Sequence, residues 1–334
     1  MKIIVTGGHG FIGSALIRFL HQNTSHKIVN IDKLTYASNK QSLKDLDSSE
    51  RYKFFKVDIC DKHSLKDIFE NERPNILFNL AAETHVDRSI DGPYDFVATN
   101  ILGTFTLLEV TRDFLTNIKT SINHPFLFQH ISTDEVFGSL GKDGFFNEMS
   151  KYDPSSPYSA SKASSDHLVR AWGKTYNIPF IITNCSNNYG PFQSTDKLIP
   201  LVIKNAISGK NIPIYGDGSQ VRDWLYVNDH VSALWLIANK GCKGESYNIG
   251  GNNEKTNLEV VNKICLILDR LVPISSKKSY KEQIMFVEDR PAHDFRYAID
   301  STKLKDQINW SPIETFSSGL LKTIEWYLSE GLDK

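Results

Sequence analysis

The chain has 334 residues, of which 40% are hydrophobic and 23% are charged, the balance of an ordinary soluble globular protein. Its 38 Lys and Arg residues face 39 Asp and Glu residues, so no basic surplus indicates nucleic acid and no acidic block indicates a tail. No apolar run reaches the roughly 18 residues that span a bilayer. The N-terminal MKIIVTGG lacks the apolar core and cleavage site of a signal peptide, so we expect a cytoplasmic protein.

The four cysteines, Cys60, Cys185, Cys242 and Cys265, form no C-x-x-C pair. Scattered thiols are usually buried packing residues, so we expect neither a disulfide framework nor a metal site. A chain of this length is expected to form one large domain and a smaller one, and no internal repeat interrupts it.

The first half of the chain alternates predicted strands and helices. The predicted strands are Lys2–Val5, Lys27–Ile31, Tyr52–Val57, Asn75–Leu80, Phe126–Ile131 and Phe180–Asn184. The predicted helices are Phe11–Leu20, Asp61–Asn71, Pro93–Asn117 and Pro157–Tyr176. Such βαβ alternation predicts a parallel sheet covered by helices on both faces, a doubly wound α/β fold of Rossmann type.

The rhythm changes after Asn184. Asn187–Thr195 is rich in Asn, Gly, Pro and Gln and is predicted to be a loop. Short strands and helices follow without βαβ alternation. We predict that residues 1–186 form the large domain, with 224–248 returning to it. Residues 187–223 and 249–334 then form the smaller C-terminal domain.

A glycine-rich turn joins the first strand to the first helix. Residues 7–13 read GGHGFIG, which fits both G-x-G-x-x-G and G-x-x-G-x-x-G. Glycines permit a tight turn and let backbone N–H groups approach a pyrophosphate at the helix N-terminus. By itself the pattern also fits an ordinary glycine-rich turn between a strand and a helix.

The ends of the following strands add support for a dinucleotide site. Asp32 closes the second strand, near the roughly 20-residue offset expected for the carboxylate that holds the adenosine ribose. A carboxylate there repels a 2′-phosphate and favours NAD over NADP, although the neighbouring cation of Lys33 weakens that discrimination. Open parallel sheets bind ligands at the carboxyl ends of their strands, where the third and fourth strands are followed by Asp58, Ile59, Ala81 and Ala82.

Tyr158 and Lys162 form a Y-x-x-x-K pattern at the start of the predicted helix Pro157–Tyr176. A spacing of four places both side chains on one helix face. An ammonium beside a phenol favours the phenolate, so we expect the pKa of Tyr158 to be lowered toward neutrality. A phenolate can take a proton from a sugar hydroxyl as hydride leaves the same carbon. The same pattern also occurs by chance on ordinary amphipathic helices.

Ser132-Thr133-Asp134-Glu135 follows the strand Phe126–Ile131. A hydroxyl and two carboxylates at the carboxyl end of a strand are costly unless they bind something. Simple hydride transfer needs no carboxylate pair. Elimination of water needs a base for a carbon-bound proton and an acid for the departing hydroxyl, and Asp134 and Glu135 can divide these roles. The alternative is a capped loop with solvated acids.

Long stretches of the chain resemble the extended short-chain dehydrogenase/reductase family and, within it, the dTDP-glucose 4,6-dehydratases of bacterial deoxysugar synthesis. The stretches are TGGHGFIGS, DKLTYA, LAAETHVDRSI, HISTDEVFG, SSPYSASKASSDHLVRAW, TNCSNNYGP, KLIPL, PIYGDGSQVRDWLYV, YNIGGNNEK and DRPAHDFRYAID. They cover nearly the whole chain. The resemblance implies a Rossmann-type NAD domain and a smaller C-terminal sugar-nucleotide domain. It also implies a homodimer that forms through Pro93–Asn117 and Pro157–Tyr176.

The resemblance implies a role for each catalytic residue. Epimerases and decarboxylases of the family lack the acid pair, so Asp134 and Glu135 indicate a dehydratase of a nucleoside-diphosphate glucose. In such an enzyme Asp134 protonates the departing 6-hydroxyl and Glu135 takes the C5 proton. Tyr158 takes the proton of the 4-hydroxyl, which Thr133 positions, and Lys162 binds the nicotinamide ribose.

The resemblance also implies which residues bind the two ligands. The NAD-binding residues are Gly7, Gly10, Phe11, Ile12, Gly13, Asp32, Lys33, Leu34, Thr35, Asp58, Ile59, Leu80, Ala81, Ala82, Thr99, Tyr158, Lys162 and Asn187. The substrate-binding residues are Thr84, Thr133, Asn187, Lys197, Leu198, Pro213, Tyr215, Arg222, Asn257, Arg290 and His293. Arg222 is the expected diphosphate clamp, because a guanidinium fork pairs with phosphate oxygens.

Three positions depart from the family pattern. Thr84 replaces the usual Ser and keeps its hydroxyl, whereas Phe137 replaces the usual Tyr and removes one. Residues Phe192–Thr195 replace the usual Tyr-His-Phe-Pro beside the nucleotide pocket. The nucleotide therefore stays open between dTDP, UDP and another base. A catalytically silent NAD-binding regulator is the remaining alternative, but such a protein has no use for an intact catalytic set.

Overall fold

The computed structural model describes residues 1–118, 124–274, 278–289 and 294–330. The strands are β1 (Lys2–Thr6), β2 (Lys27–Ile31), β3 (Tyr52–Phe55), β4 (Ile76–Asn79), β5 (Leu127–Thr133), β6 (Phe180–Cys185), β7 (Asn187–Tyr189), β8 (Ile212–Tyr215), β9 (Val221–Tyr226), β10 (Ser246–Ile249), β11 (Glu254–Thr256) and β12 (Ile284–Val287). The α-helices are α1 (Phe11–Asn23), α2 (Lys62–Glu72), α3 (Val86–Asp91), α4 (Tyr94–Phe96), α5 (Thr104–Ile118), α6 (Pro157–Tyr176), α7 (Leu198–Ile207), α8 (Val227–Lys240), α9 (Asn257–Leu271), α10 (Thr302–Ile308) and α11 (Phe316–Glu330).

Seven strands form one parallel sheet in the order β3-β2-β1-β4-β5-β6-β10. The strand order reverses between β1 and β4, which opens a crevice at the carboxyl ends of the strands. This topology confirms the predicted Rossmann-type α/β fold.

Alternation along the central strands explains why helices cover both faces of this sheet. On β1, Ile3 and Val5 join the core that contains Leu16 of α1 and Leu234 of α8, whereas Ile4 joins the core beneath α2, α5 and α6. Successive side chains of a strand point to opposite faces, so a strand buried on both faces is apolar throughout.

The C-terminal half adds two small sheets and a third core. Strands β11, β9 and β7 form a three-stranded sheet, and β12 pairs with β8. The third core lies among α7, α9 and α11. Leu225 of β9 packs into the core of the large sheet, whereas its neighbours Trp224 and Tyr226 pack into the third core. Helix α8 packs on α1, and β10 pairs with β6.

Two local expectations are corrected by the structure. Asn187–Thr195 was expected to be a loop throughout, but Asn187–Tyr189 is strand β7, which pairs with β9. Backbone pairing to a distant segment overrides the local composition there. Helix α3 was not predicted; it is six residues long and is capped by the side chain of His85.

The predicted helix Pro93–Asn117 is continuous but not uniformly α-helical. A π-helical segment, Val97–Gly103, separates α4 from α5. Within it the Asn100 amide bonds both backbone polar groups of Glu83, at 2.8 and 3.0 Å, and the Ser161 hydroxyl at 2.8 Å. Such π-helical turns often mark functional sites, and this one turns Thr99 into the wall of the cavity described below.

The cysteines only partly follow the expectation of burial. All four are free thiols: Cys185 and Cys265 are buried, whereas Cys60 and Cys242 are exposed. Within the ranges that the structure describes, no three His, Cys, Asp or Glu side chains cluster as metal ligands. In the same ranges no helix is long and apolar enough to cross a bilayer.

A close backbone approach between Gly251 and β9 predicts a sharp difference between two glycines. A Cβ on Gly251 would lie 2.0 Å from the carbonyl oxygen of Trp224, whereas a Cβ on Gly141 would meet nothing within 4 Å. Gly251→Ala should therefore lower the free energy of unfolding by about 1–3 kcal/mol, the usual cost of overpacking. Gly141→Ala is the matched control and should leave it unchanged. Urea denaturation of both variants measures the difference, and equal effects would contradict the assignment.

Candidate active site

The glycine-rich turn forms the floor of a cavity at the carboxyl ends of β1 and β4. Gly7 has a φ of +67°, and a Cβ there would lie 2.8 Å from the backbone of Ala81. A Cβ on Gly13 would lie 2.2 Å from the carbonyl oxygen of Gly7. Helix α1 begins after Gly10, which offers no side-chain cap. The first turn of α1 therefore presents backbone N–H groups to an anion.

The first cavity gathers most of the predicted cofactor residues. Sixteen of the eighteen form its wall: Gly7, Gly10, Phe11, Ile12, Gly13, Asp32, Lys33, Thr35, Ile59, Leu80, Ala81, Ala82, Thr99, Tyr158, Lys162 and Asn187. The other two, Leu34 and Asp58, lie just behind it. Leu34 has a φ of +62° and donates its N–H to Asp32 at 2.7 Å. Asp58 forms an ion pair with Lys33 at 3.5 Å.

Asp32 is held rigidly at the edge of this cavity. Its Oδ1 accepts hydrogen bonds from the Leu34 N–H and, at 3.1 Å, from the Ser38 hydroxyl. Its Oδ2 accepts the His9 N–H, at 2.9 Å, and no other hydrogen bond from the residues that the structure describes. A carboxylate oxygen has room for a second donor, so Oδ2 can still accept a ribose hydroxyl.

The ammonium group of Lys33 is occupied within the protein. It donates to the Thr99 hydroxyl at 2.9 Å and lies 3.5 Å from a carboxylate oxygen of Asp58. The positive charge of Lys33 weakened the sequence argument for NAD over NADP. Asp58 partly neutralises that charge. A glycine turn without space for side chains, an uncapped helix start and a preorganised carboxylate together fit NAD.

A second cavity adjoins the first and gathers the predicted substrate residues. Its wall includes Thr84, Asn187, Lys197, Leu198, Pro213, Tyr215, Arg222 and Asn257. Thr133 lies in the wall of the first cavity. Arg290 and His293 lie outside the described residues. The cavities share Thr84, His85, Glu135, Asn187, Asn188, Gln193, Asp196 and Lys197, so a ligand in one meets a ligand in the other.

Asp134 and Glu135 lie at this junction, in a 3₁₀ turn that begins where β5 ends. The Thr133 side chain caps the turn by accepting the Glu135 N–H at 3.3 Å. Asp134 is 2% exposed, and its Oδ2 has no hydrogen-bond partner among the described residues. Burial, with the charges of Glu135 and Asp223, raises the pKa of Asp134 well above its ordinary value. The environment of Asp134 therefore favours the protonated carboxyl over the carboxylate.

Tyr158 departs from the expected electrostatics. Burial and the nearby charge of Glu135 raise the pKa of Tyr158 well above 10, although a hydrogen bond with the Thr133 side chain opposes the shift. The lowered pKa expected from Lys162 is therefore wrong for the protein alone. Lys162 is itself 4% exposed, and its ammonium donates to the carbonyl of Ile131 at 2.8 Å rather than to the phenol. Desolvation of the phenol is the largest cause of the raised pKa of Tyr158.

Arg222 projects from β9 into the second cavity. Its guanidinium donates to the carbonyls of Val221 at 2.8 Å and Asp294 at 3.0 Å, and it stacks on the ring of Tyr297 at 4.4 Å. Burial lowers the pKa of Arg222, and the charge of Glu135 partly offsets this. The protein thus holds a planar guanidinium in a fixed orientation in the wall of the second cavity.

Several wall residues were not singled out from the sequence. They include Glu83, His85, Asn188, Gln193, Asp196 and Tyr297. His85 lies 3.4 Å from Asp196, and the Lys197 ammonium donates to the carbonyl of Thr84 at 3.2 Å. His85 directly follows Thr84 in the family motif, which was the available signal. The family motif gave no such signal for Gln193, because the stretch Phe192–Thr195 departs from the family pattern.

The departures from the family pattern have different surroundings. Phe137 is buried against Phe146, with ring centroids 5.3 Å apart, and faces neither described cavity wall. Phe192 has a φ of +65° and packs between Arg18, at 4.4 Å, and Trp326, at 4.5 Å. The altered loop is therefore anchored to α1 and α11.

Comparison with known proteins identifies the family. A family model described as GDP-mannose 4,6 dehydratase matches residues 4–323. The dTDP-glucose 4,6-dehydratase 1 of Escherichia coli strain K12 is 55% identical over 338 residues, covering 98% of this chain and 93% of that protein. The crystal structure of a Bacillus anthracis dTDP-glucose 4,6-dehydratase in complex with NAD has a TM-score of 0.86 and 44% identity. A Streptomyces venezuelae dTDP-glucose 4,6-dehydratase with NAD and TDP bound has a TM-score of 0.89 and 38% identity.

Both of these alignments cover 98% of this chain and 97% of the solved one. The chain therefore belongs to the family of nucleotide-sugar 4,6-dehydratases, in the branch of the dTDP-glucose 4,6-dehydratases.

The geometry of Asp32 predicts the cofactor preference. A charged hydrogen bond to a ribose hydroxyl contributes about 1.5–3 kcal/mol, so Asp32→Ala should weaken NAD binding roughly 10- to 100-fold. It should also relax the discrimination against NADP, because the carboxylate no longer repels a 2′-phosphate. Asp61→Ala removes an exposed carboxylate that caps α2 and is the control. Calorimetric titration with both nucleotides measures the effect, and equal binding of NAD and NADP by the unmodified protein would refute the ribose assignment.

Proposed function

We propose that the chain is a lyase that dehydrates dTDP-glucose to dTDP-4-keto-6-deoxyglucose and water, with NAD as its cofactor. Membership of the dehydratase family and the names of the similar proteins support the reaction and the cofactor. One observation carries the dehydration step: Asp134 is a buried acid in the wall of the first cavity whose Oδ2 has no hydrogen-bond partner among the described residues, and it directly precedes Glu135, which lines both cavities.

The first step is oxidation at C4 of the hexose. The chemistry that NAD supplies when bound is acceptance of hydride from C4 and its return to C6, so that NAD is regenerated in each turnover. Tyr158 takes the proton of the 4-hydroxyl, and Thr133, which hydrogen-bonds Tyr158, positions that hydroxyl. Since burial opposes the phenolate of Tyr158, the positive charge of Lys162 and of the cofactor are needed for its ionisation.

The second step is elimination of water across C5 and C6. The 4-ketone acidifies the C5 proton, and Glu135 removes it. Asp134 protonates the 6-hydroxyl as the C6–O bond breaks, so that water leaves and a C5–C6 double bond forms. After reduction at C6, Glu135 returns a proton to C5. The proton taken by Tyr158 balances the proton given by Asp134.

The second cavity binds the nucleotide part of the substrate. Arg222 is proposed as the diphosphate clamp, because its stacked guanidinium keeps a fixed orientation in the wall. Lys197, Leu198, Pro213, Tyr215 and Asn257 surround the rest of the nucleotide. The altered stretch Phe192–Thr195 leaves UDP-glucose, or another nucleoside-diphosphate glucose, as the alternative substrate.

Three further features are proposed on separate grounds. Residues 1–186 with 224–248 are proposed as the NAD-binding domain, and 187–223 with 249–334 as the substrate domain. A homodimer is proposed through Pro93–Asn117 and α6, whose exposed side chains include Tyr94, Val97, Leu102, Phe105 and Tyr176. Apolar patches of this kind mark contact surfaces.

A cytoplasmic location is proposed because four free thiols, two of them exposed, suit a reducing compartment.

The activity is tested by incubating the purified protein separately with dTDP-glucose and UDP-glucose, without added reductant. A 4-keto product that absorbs in alkali should form from dTDP-glucose without net consumption of NAD. Faster turnover of UDP-glucose would change the substrate but keep the reaction. No product from any nucleoside-diphosphate glucose would favour the catalytically silent regulator.

Two matched variants separate the oxidation from the elimination. Glu135→Gln cannot accept the C5 proton, so NADH and a 4-keto hexose should accumulate, with little deuterium entering C5 in heavy water. Tyr158→Phe should lower the rate at least about a hundredfold without that accumulation, because general-base catalysis is lost before hydride transfer. Absorbance in the nicotinamide band and mass analysis of the recovered sugar measure both effects. Dehydration by Glu135→Gln at nearly the wild-type rate, with normal deuterium uptake, would assign the base to another residue.

A further inference from the structure

A cluster of buried polar groups lies behind the carboxyl end of β5, and no step of the proposed reaction uses it. At its centre Asp166 of α6 is 0% exposed and faces neither described cavity wall. Its Oδ2 accepts the Ser132 hydroxyl at 2.9 Å and the Tyr152 hydroxyl at 2.8 Å. The Asn184 amide lies 3.5 Å from the same oxygen, and His130 Nε2 lies 3.3 Å from Oδ1. These contacts are the environment of an ionised carboxylate.

The neighbouring histidine lies close to Asp166 but supplies no charge. The Asn79 amide donates to Nδ1 of His130 at 3.1 Å, so the ring proton is on Nε2. Nε2 is hydrogen-bonded to the Ser165 hydroxyl at 3.3 Å and lies 3.3 Å from Oδ1 of Asp166, which has no hydrogen-bond partner among the described residues. Burial and the charge of Lys162 lower the pKa of His130, which keeps the ring neutral. The counter-charge for Asp166 must therefore come from another residue.

Lys162 lies one helical turn before Asp166 on α6. The two side chains hold consecutive residues of β5: Lys162 donates to the Ile131 carbonyl at 2.8 Å, and Asp166 accepts the Ser132 hydroxyl. One turn of α6 thus anchors the strand immediately before Thr133. Burial lowers the pKa of Lys162, and the charge of Asp166 opposes that shift.

We propose that Asp166 is a positioning residue that acts as the buried counter-anion of Lys162 and keeps its ammonium charged, one helical turn from Tyr158 in the wall of the same cavity. The proposal deepens the proposed function and rests on it. A cation beside the phenol stabilises the phenolate that takes the substrate proton. Without a fixed anion, a buried ammonium loses its proton readily and that help disappears.

The groups that face this pair from the other elements do not replace Asp166. Burial raises the pKa of the Cys185 thiol on β6 to about 12, so the thiol stays neutral. Burial likewise raises the pKa of Tyr152, which precedes α6. Arg170 donates to the Tyr152 hydroxyl at 3.4 Å and is a cation, so it cannot take the place of the Asp166 anion. His130 is neutral as well. Among the described residues that face Lys162, Asp166 is therefore the one that supplies a negative charge.

The first test measures kcat and KM of the NAD-loaded Asp166→Asn variant between about pH 6 and pH 10. Asp166 raises the pKa of Lys162, so its removal lowers that pKa and deprotonates Lys162 at lower pH. The pH at which kcat falls on the alkaline side should therefore decrease by about one unit or more. This is the size of the pKa shift that an adjacent opposite charge produces. KM for dTDP-glucose should stay within about twofold, because Asp166 contacts neither cavity.

Tyr152→Phe is the matched control, since it removes one hydrogen bond to Asp166 and keeps the charge. Its alkaline limb should coincide with that of the wild type. Asp166→Glu, which keeps the charge, should recover most of the lost kcat. An alkaline limb that stays at its wild-type position in Asp166→Asn would overturn the proposal and leave Asp166 a merely structural residue.

The second test needs no turnover and compares the Tm of four proteins: wild type, Asp166→Asn, Lys162→Met and the double variant. Each single change leaves a buried charge without its partner, whereas the double change removes both charges. The Tm loss of the double variant should thus be several degrees smaller than the sum of the single losses. If Asp166→Asn alone does not fold, folded protein in the double variant would show the same coupling between the two charges.

Strictly additive losses of Tm would show that the two side chains are not coupled. Because this comparison is independent of catalysis, it judges the proposed pair even if the wild type does not dehydrate dTDP-glucose. Failure of the wild-type reaction would count against the proposed function alone.

Discussion

The active site depends on the exclusion of water from a small group of ionisable side chains at the end of β5. Burial raises the pKa of Asp134 and of Tyr158, and it lowers the pKa of Lys162 and of Arg222. Each of these shifts favours the neutral form of the side chain over its charged form. The proton affinities that acid and base catalysis require are thus set by the protein environment.

The fold supplies that environment through one edge of one sheet. Strands β1, β4 and β5 end beside each other, so the glycine turn, Ala81 and the acid pair meet without any long loop. Helix α6 adds Tyr158 and Lys162 and is itself bonded to β5 through Ile131. Each reacting group is thus carried by a regular element with paired backbone, which fixes its position better than a loop would.

Local patterns in the sequence were sufficient for the fold and for most of the cavity residues. The βαβ rhythm and the glycine turn have short-range physical causes, so a single chain reveals them. Contacts between distant residues were not predictable in this way. Strand β7 exists because β9 pairs with it, the π-helical turn because Asn100 reaches Glu83, and the raised pKa of Tyr158 because Glu135 and apolar walls surround it.

The alternating side chains of β9 have a consequence for how the molecule loses its structure. Leu225 belongs to the core under the cofactor cavity, whereas Trp224 and Tyr226 belong to the core under the substrate cavity. If either core unfolds, β9 is displaced, and its side chains are then also withdrawn from the other core. The two halves are therefore one cooperative unit, and local opening of the sugar side also loosens the support of the cofactor side.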